Sequence, residues 1–150
     1  MAHSYCNSLM HCVFSTKDRR RVIHPEIAVQ LFPYLGGIAR EHGMKALTVG
    51  GVEDHVHVLL SLPATITVAK AMQTLKAASS KWVSEQFPEA RDFTWQEGYG
   101  AFSIGVSQVE RTRRYIDRQA EHHREESFEE EFIRFLKRHG IEYDPRHVFG

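Results

Sequence analysis

The sequence predicts an α+β fold of order βαββαβ, an antiparallel sheet with helices on one face and further helices at the C-terminus. Three observations carry that expectation. Short runs rich in aromatic and β-branched residues alternate with stretches whose apolar residues recur at helical spacing. The two middle runs are separated by only Val52-Glu53-Asp54, which suits an antiparallel hairpin. The chain has 150 residues, the length of one ordinary domain that buries roughly 68–70% of its unfolded surface. Residues 1–150 therefore read as a single domain, with about 125–150 forming an acidic helical extension.

Tyr5 to Ser15 reads as the first strand and runs into the basic loop Thr16-Lys17-Asp18-Arg19-Arg20-Arg21. After Pro25, residues Ile27, Leu31, Tyr34, Leu35 and Ile38 share a helical face, and His42-Gly43 supplies a stop. Pro33 and the Gly36-Gly37 pair predict a kink in that helix. Met44–Gly51 and His55–Leu62 form the hairpin. Thr67 is placed to cap a second helix whose Val68, Met72, Leu75, Trp82 and Val83 make one stripe before Pro88.

Gly98 to Val106 is the last strand. Ser107 with Glu110 has capping-box spacing and opens a helix through Tyr115 and Gln119. Ser127 with Glu130 repeats that spacing and opens an acidic helix ending at Gly140. Its apolar stripe of Phe128, Phe132, Phe135 and Leu136 is expected to pack on the body of the domain. The order of elements is that of the ferredoxin-like split βαβ arrangement.

Nineteen basic and nineteen acidic side chains cancel, so net charge gives no pointer to a nucleic acid. Residues 1–124 hold 15 basic groups against 12 acidic, and 125–150 hold 4 against 7, which places any phosphate-facing surface in the earlier part. A hydrophobic content of 42% with 25% charged residues excludes a disordered tail protein. No apolar stretch approaches the ~20 residues of a spanning helix. No signal-peptide pattern opens the chain, so cytoplasmic residence is the expectation. Cys6 and Cys12 form no CxxC pair, which argues against a disulfide framework or a cysteine zinc site; both are expected to be buried and reduced.

The sharpest local feature is Asp54-His55-Val56-His57-Val58-Leu59-Leu60. Histidines at i and i+2 of a strand leave the same face about 6.5–7 Å apart at their backbones, where two imidazoles can converge on one divalent ion. Spacing alone also fits a surface pair, and a zinc enzyme would want a third ligand. Glu53 or Asp54 would orient such a histidine, although turn carboxylates need no function. Tyr115 and Gln119 stand one turn apart, so a phenol and an amide carbonyl address one site, but Tyr115 also fits an ordinary packing residue. Lys17, Arg19, Arg20 and Arg21 with Lys76 offer phosphate contacts or a solvated face. Arg113, Arg114 and Arg118 flank Tyr115, while Trp95 and Tyr99 fit core packing better than base stacking.

Taken jointly, His55-Val56-His57 on a central strand and Tyr115-x-x-x-Gln119 on a later helix resemble the HUH single-tyrosine transposases of small insertion sequences (IS200-like). Their relatives, the REP-associated tyrosine transposases, share the pattern. Supporting stretches are His11-Cys12-Val13-Phe14-Ser15-Thr16-Lys17, Gly51 through Leu60, Leu75-Lys76, and Trp95-Gln96-Glu97-Gly98-Tyr99. Near the end, Phe128-Glu129-Glu130-Glu131-Phe132 and His139-Gly140-Ile141-Glu142-Tyr143 add to them. One departure is Asp18, where many relatives carry Lys-Tyr-Arg.

The resemblance implies cleavage and rejoining of single-stranded DNA near hairpins through a covalent 5′-phosphotyrosine. It makes Tyr115 the nucleophile, His55, His57 and Gln119 the ligands of Mg2+ or Mn2+, and Lys76, Lys17, Arg19 and Arg20 the DNA contacts. It also implies a homodimer whose active site is shared between subunits. The alternatives are a catalytically weak hairpin-binding dimer of the same fold and a metal-dependent hydrolase with a water nucleophile.

Overall fold

A computed structural model of the chain describes residues 4–149. Strand β1 (Ser8–Ser15) pairs antiparallel with β3 (His55–Leu62) on one side and with β4 (Gly100–Ile104) on the other. Strand β2 (Lys45–Val52) pairs with β3, so the sheet order is β2-β3-β1-β4 and every pairing is antiparallel. This is the ferredoxin-like α+β arrangement that the element order predicts.

Strand β3 is covered on both faces, and its alternation sorts side chains by chemistry. Val56, Val58, Leu60 and Leu62 enter the larger core against α1 (Pro25–Glu41) and α2 (Val68–Gln86), where Ile27, Leu31, Leu35, Met72 and Leu75 are also buried. His55 and His57 therefore leave the opposite face. There they meet α3 (Val109–Asp117), α4 (Gln119–His122) and α5 (Phe128–Arg138). A second apolar cluster of Val13, Phe102, Phe128, Phe132, Phe135 and Leu136 seats α5 on this side of the sheet.

Several sequence expectations change at the ends of elements. Strand β1 begins at Ser8, and Tyr5 is exposed. Helix α1 runs unbroken through Pro33. Strand β4 is shorter than Gly98–Val106, because the carbonyls of Gln96, Glu97 and Gly98 turn to the ammonium of Lys76. The Ser107–Glu110 capping box does not form: Gly105 N–H donates instead to Oε1 of Gln108 at 2.8 Å, and α3 starts at Val109. Cys12 is buried as expected, its thiol pushed up to about 12 by that burial, but Cys6 is exposed.

Thr67 caps α2 by accepting from Lys70 N–H at 3.1 Å. At α5 the capping box is complete, with Ser127 Oγ accepting from Glu130 N–H at 3.1 Å and Ser127 N–H donating to Glu130 Oε1 at 3.3 Å. Ser127→Ala is expected to cost about 1 kcal/mol in urea denaturation, the usual worth of such a cap. Among the described residues no helix is long and apolar enough to cross a membrane.

Candidate active site

The strand periodicity that buries Val56 and Val58 delivers His55 and His57, both fully buried, to one spot beneath the C-terminal helices. His55 Nδ1 lies 2.7 Å from Asp54 Oδ1, so the turn carboxylate does orient the histidine ring. His57 Nδ1 lies 2.7 Å from His11 Nε2. The other nitrogens of both rings point at one carboxylate oxygen, Glu131 Oε1, at 3.3 Å from His55 Nε2 and 3.0 Å from His57 Nε2.

Helix α3 reaches the same place because it lies very close to β2. A Cβ on Gly50 would stand 2.5 Å from the Ile116 carbonyl oxygen, so only glycine admits this approach. The helix breaks at Arg118, whose backbone (φ −105, ψ 24) separates α3 from α4. Gln119, 1% exposed, folds under the break: its Nε2 donates to the Tyr115 carbonyl at 3.3 Å, and its Oε1 faces His55 Nε2 at 3.2 Å. Tyr115 is half-buried. Its hydroxyl donates to Glu131 Oε2, receives an N–H from Arg134 at 2.9 Å and lies 3.1 Å from His122 Nε2.

The histidine pair, the tyrosine and the glutamine thus meet within one chain. Within the chain, α3 owes this position to its tight seat on β2 at Gly50.

Burial alone would lower the pKa of His55, but the Asp54 and Glu131 carboxylates outweigh it and raise it to about 9. His57 has no such second carboxylate, and burial takes it down to about 4 despite Glu131. Burial also works to raise Glu131, yet the histidines around it hold its carboxyl far below the usual carboxylate range. Tyr115 is pushed above the ordinary phenol value, first by burial and then by the adjacent Glu131. The phenol is therefore protonated in this arrangement.

Four residues of the site were given no role by the sequence reading: His11, His123, Glu131 and Arg134, although His11 and Glu131 lie in stretches that carry the family resemblance. Glu131 did leave a trace. It falls with Phe128, Phe132 and Phe135 at i, i+3, i+4 and i+7, so a carboxylate sits inside an apolar stripe, where a charge is rarely buried without partners.

The basic residues separate. Arg19 and Arg21 line a cleft of about 850 Å³ that also exposes Asp54, His123 and Glu126, so the loop and the histidine cluster share one opening. Lys17, Arg20 and Arg21 are exposed, while Arg19 faces Glu129 at 3.8 Å and the Phe149 ring. Arg113 is half-buried, and Arg114 and Arg118 are exposed. Trp95 is buried and donates to Ser79 Oγ at 2.9 Å, as a core residue should, but Tyr99 is exposed.

Lys76 turns inward: its ammonium donates to the carbonyls of Gln96, Glu97 and Gly98 at 2.8, 3.2 and 2.5 Å. Lys76→Met is expected to destabilise the fold by roughly 1 kcal/mol, since the half-buried Gln96 carbonyl loses a charged donor while those of Glu97 and Gly98 are exposed to water. An unchanged urea midpoint, together with a salt dependence of DNA binding reduced by about one phosphate contact, would show instead that Lys76 serves the DNA.

Comparison with known proteins decides the family. The family profile described as Transposase IS200 like matches residues 4–119. The chain belongs to that family.

Among curated members, the IS200-like transposase described here is 29% identical over 127 residues to the transposase for insertion sequence element IS200 of Salmonella typhimurium. That alignment covers 81% of this chain and 82% of the relative. The ISDra2 transposase TnpA of Deinococcus radiodurans is 26% identical over 114 residues, covering 73% of this chain and 81% of its own. Two solved structures share the fold. A Deinococcus radiodurans protein assigned as a transposase superposes with a TM-score of 0.65 at 23% identity, over 79% of this chain and 96% of that one. A REP-associated tyrosine transposase bound to a REP hairpin gives 0.55 at 12% identity, over 77% and 68%. The family match ends at Gln119, so the IS200-like transposase described here carries His123, Glu131 and Arg134 on a segment outside it.

Proposed function

We propose that this transposase cleaves and rejoins single-stranded DNA beside hairpins, with Tyr115 as the nucleophile. The observation that carries the reading is the convergence of Tyr115, Gln119, His55 and His57, from three separate elements, on one buried spot. In the reaction the Tyr115 phenol oxygen attacks the scissile phosphorus, and a phosphotyrosine bond forms at the 5′ side as the bond to the 3′ oxygen breaks. The leaving 3′ oxygen takes a proton and becomes a free hydroxyl. Attack of a 3′-hydroxyl on the phosphotyrosine reverses the step and rejoins strands. Because Tyr115 is protonated here, its proton has to leave as the new bond forms, and Glu131, which accepts the hydrogen bond of that hydroxyl, orients it for attack. Arg134, bonded to the same hydroxyl, is placed to hold negative charge as it develops there.

His55, His57 and Gln119 are the residues proposed to hold a divalent ion, Mg2+ or Mn2+. The site fits such an ion. His123 Nε2 is the buried side-chain atom without a hydrogen-bond partner among the described residues, and it stands beside these ligands. When bound, the cation supplies charge stabilisation and in-line orientation of the scissile phosphate. Imidazole donors favour Mn2+ on chemical grounds, whereas Mg2+ prefers oxygen.

Lys17, Arg19, Arg20 and Lys76 are proposed to contact phosphates; Arg19 lines the cleft, and Lys76 also holds the Gln96–Gly98 segment. The hairpin held by the REP-associated neighbour points to hairpin DNA as the partner here. Joining needs two cleaved ends held together, and a homodimer whose active site is shared between subunits during joining supplies both.

The test uses the purified protein and labelled single-stranded DNA from the flanks of its own gene, with Mn2+, Mg2+ or chelator. A metal-dependent covalent adduct on a denaturing gel, mapping to the peptide that contains Tyr115, is the expected result. Metal-dependent cleavage without any adduct would overturn it in favour of a water nucleophile.

A further inference from the structure

The C-terminal helix places an unassigned carboxylate among three histidines. Glu131 is fully buried, and its Oε1 lies 3.3 Å from His55 Nε2, 3.0 Å from His57 Nε2 and 3.1 Å from His123 Nε2. The second carboxylate oxygen turns away to Tyr115. Four side chains from β3, the segment after α4, and α5 thus present ligand atoms within 4.8 Å of one another.

The hydrogen bonds behind these atoms show what the cluster lacks. His123 Nδ1 lies 2.6 Å from the Glu126 carbonyl, which only accepts, so Nδ1 carries the proton. In the neutral ring Nε2 is then a bare lone pair aimed at a carboxylate, which accords with its having no hydrogen-bond partner. His55 repeats the pattern. Its Nδ1 donates to Asp54, and its Nε2 faces Glu131 Oε1 and Gln119 Oε1, both acceptors. The ligand atoms of these side chains are thereby aimed at one buried point. An Nδ1–H anchored on a carboxylate or a backbone carbonyl is the usual support of a metal-binding histidine.

We propose that His123 and Glu131 are metal ligands, so that His55, His57, His123 and Glu131 close the metal site of the DNA-free protein within one chain. The inference rests on the metal-dependent reading above and adds two ligands from beyond the family match. Three imidazoles and one carboxylate select a transition ion such as Mn2+ or Co2+ over Mg2+. With Gln119 Oε1 also beside His55 Nε2, the side chains of this one chain would supply most of the ion's ligands.

The experiment is calorimetric titration of Co2+ and Mn2+ into metal-free protein without DNA, with the visible absorption of bound Co2+ reporting its coordination. The proteins are the wild type, Glu131→Gln, His123→Gln and His55→Gln, each checked for folding by thermal melting. Wild type is expected to bind one ion. Glu131→Gln and His123→Gln should each weaken Co2+ binding by roughly tenfold to 100-fold and lower the intensity of its visible bands. Unchanged or tighter binding in both of those variants, with loss in His55→Gln, would overturn the inference and leave the His55–His57–Gln119 site standing. No binding to the wild type would overturn the inference and the metal-dependent reading together.

Discussion

Tyr115→Phe abolishes the covalent protein–DNA adduct, lowering strand cleavage by at least about a thousandfold, because no other group replaces a lost nucleophile. The ring remains packed beside His11, His57 and Phe135, so the fold and DNA binding are retained. What disappears is one oxygen and its bonds to Glu131, Arg134 and His122. Labelled single-stranded DNA on denaturing gels checks the result, with a mobility-shift titration alongside. Equal cleavage by both proteins would make water the nucleophile. Tight binding without cleavage by either protein, under any metal, would make this member of the family a hairpin-binding module.

Gly50→Ala is the second large effect, and it acts at a distance. A Cβ at this position would lie 2.5 Å from the Ile116 carbonyl oxygen and 2.9 Å from its Cγ2. The obstacle is helix backbone, which cannot rotate aside as a side chain would, so α3 has to move as a unit. Overpacking of this kind costs about 1–3 kcal/mol, to be read from urea denaturation. Ile116 is the neighbour of Tyr115, and a displacement near 1 Å costs roughly a hundredfold in rate. Adduct formation should therefore fall about that far while hairpin affinity changes little. An unchanged urea midpoint and cleavage rate would show that α3 is not fixed by this contact.

The two histidines were readable because strand alternation is local: His55 and His57 must share a face, and Val56 and Val58 must take the other. The pairing of Tyr115 with Gln119 was readable as a four-residue spacing, but its geometry was not. The break at Arg118 lets the Gln119 side chain bond back to the Tyr115 carbonyl, which a regular helix would not require. The second capping box formed and the first did not, although their spacing is identical. Ser127 begins a helix that a stripe of buried phenylalanines holds in place, whereas Ser107 is exposed and Gln108 satisfies Gly105 instead.

The acidic extension was legible as a helix with an apolar stripe, but its role was not. Its net negative charge describes the surface, while the one carboxylate that matters points inward and is defined by histidines 8 to 76 residues away. Lys76 shows the same limit: the sequence offers a lysine on a helix of small residues, and only the fold shows that its ammonium reaches the carbonyls of Gln96, Glu97 and Gly98.

By itself, then, the sequence determined the βαββαβ order, the apolar face of each element, the histidine pair and the family pattern, since all of these depend on spacing along the chain. Tertiary structure alone brought Tyr115, Gln119, Glu131 and His123 to the histidine pair. It also decided that the tyrosine starts out bonded to a carboxylate. Those features depend on where helices land against a sheet, and that is set by packing between residues distant in sequence.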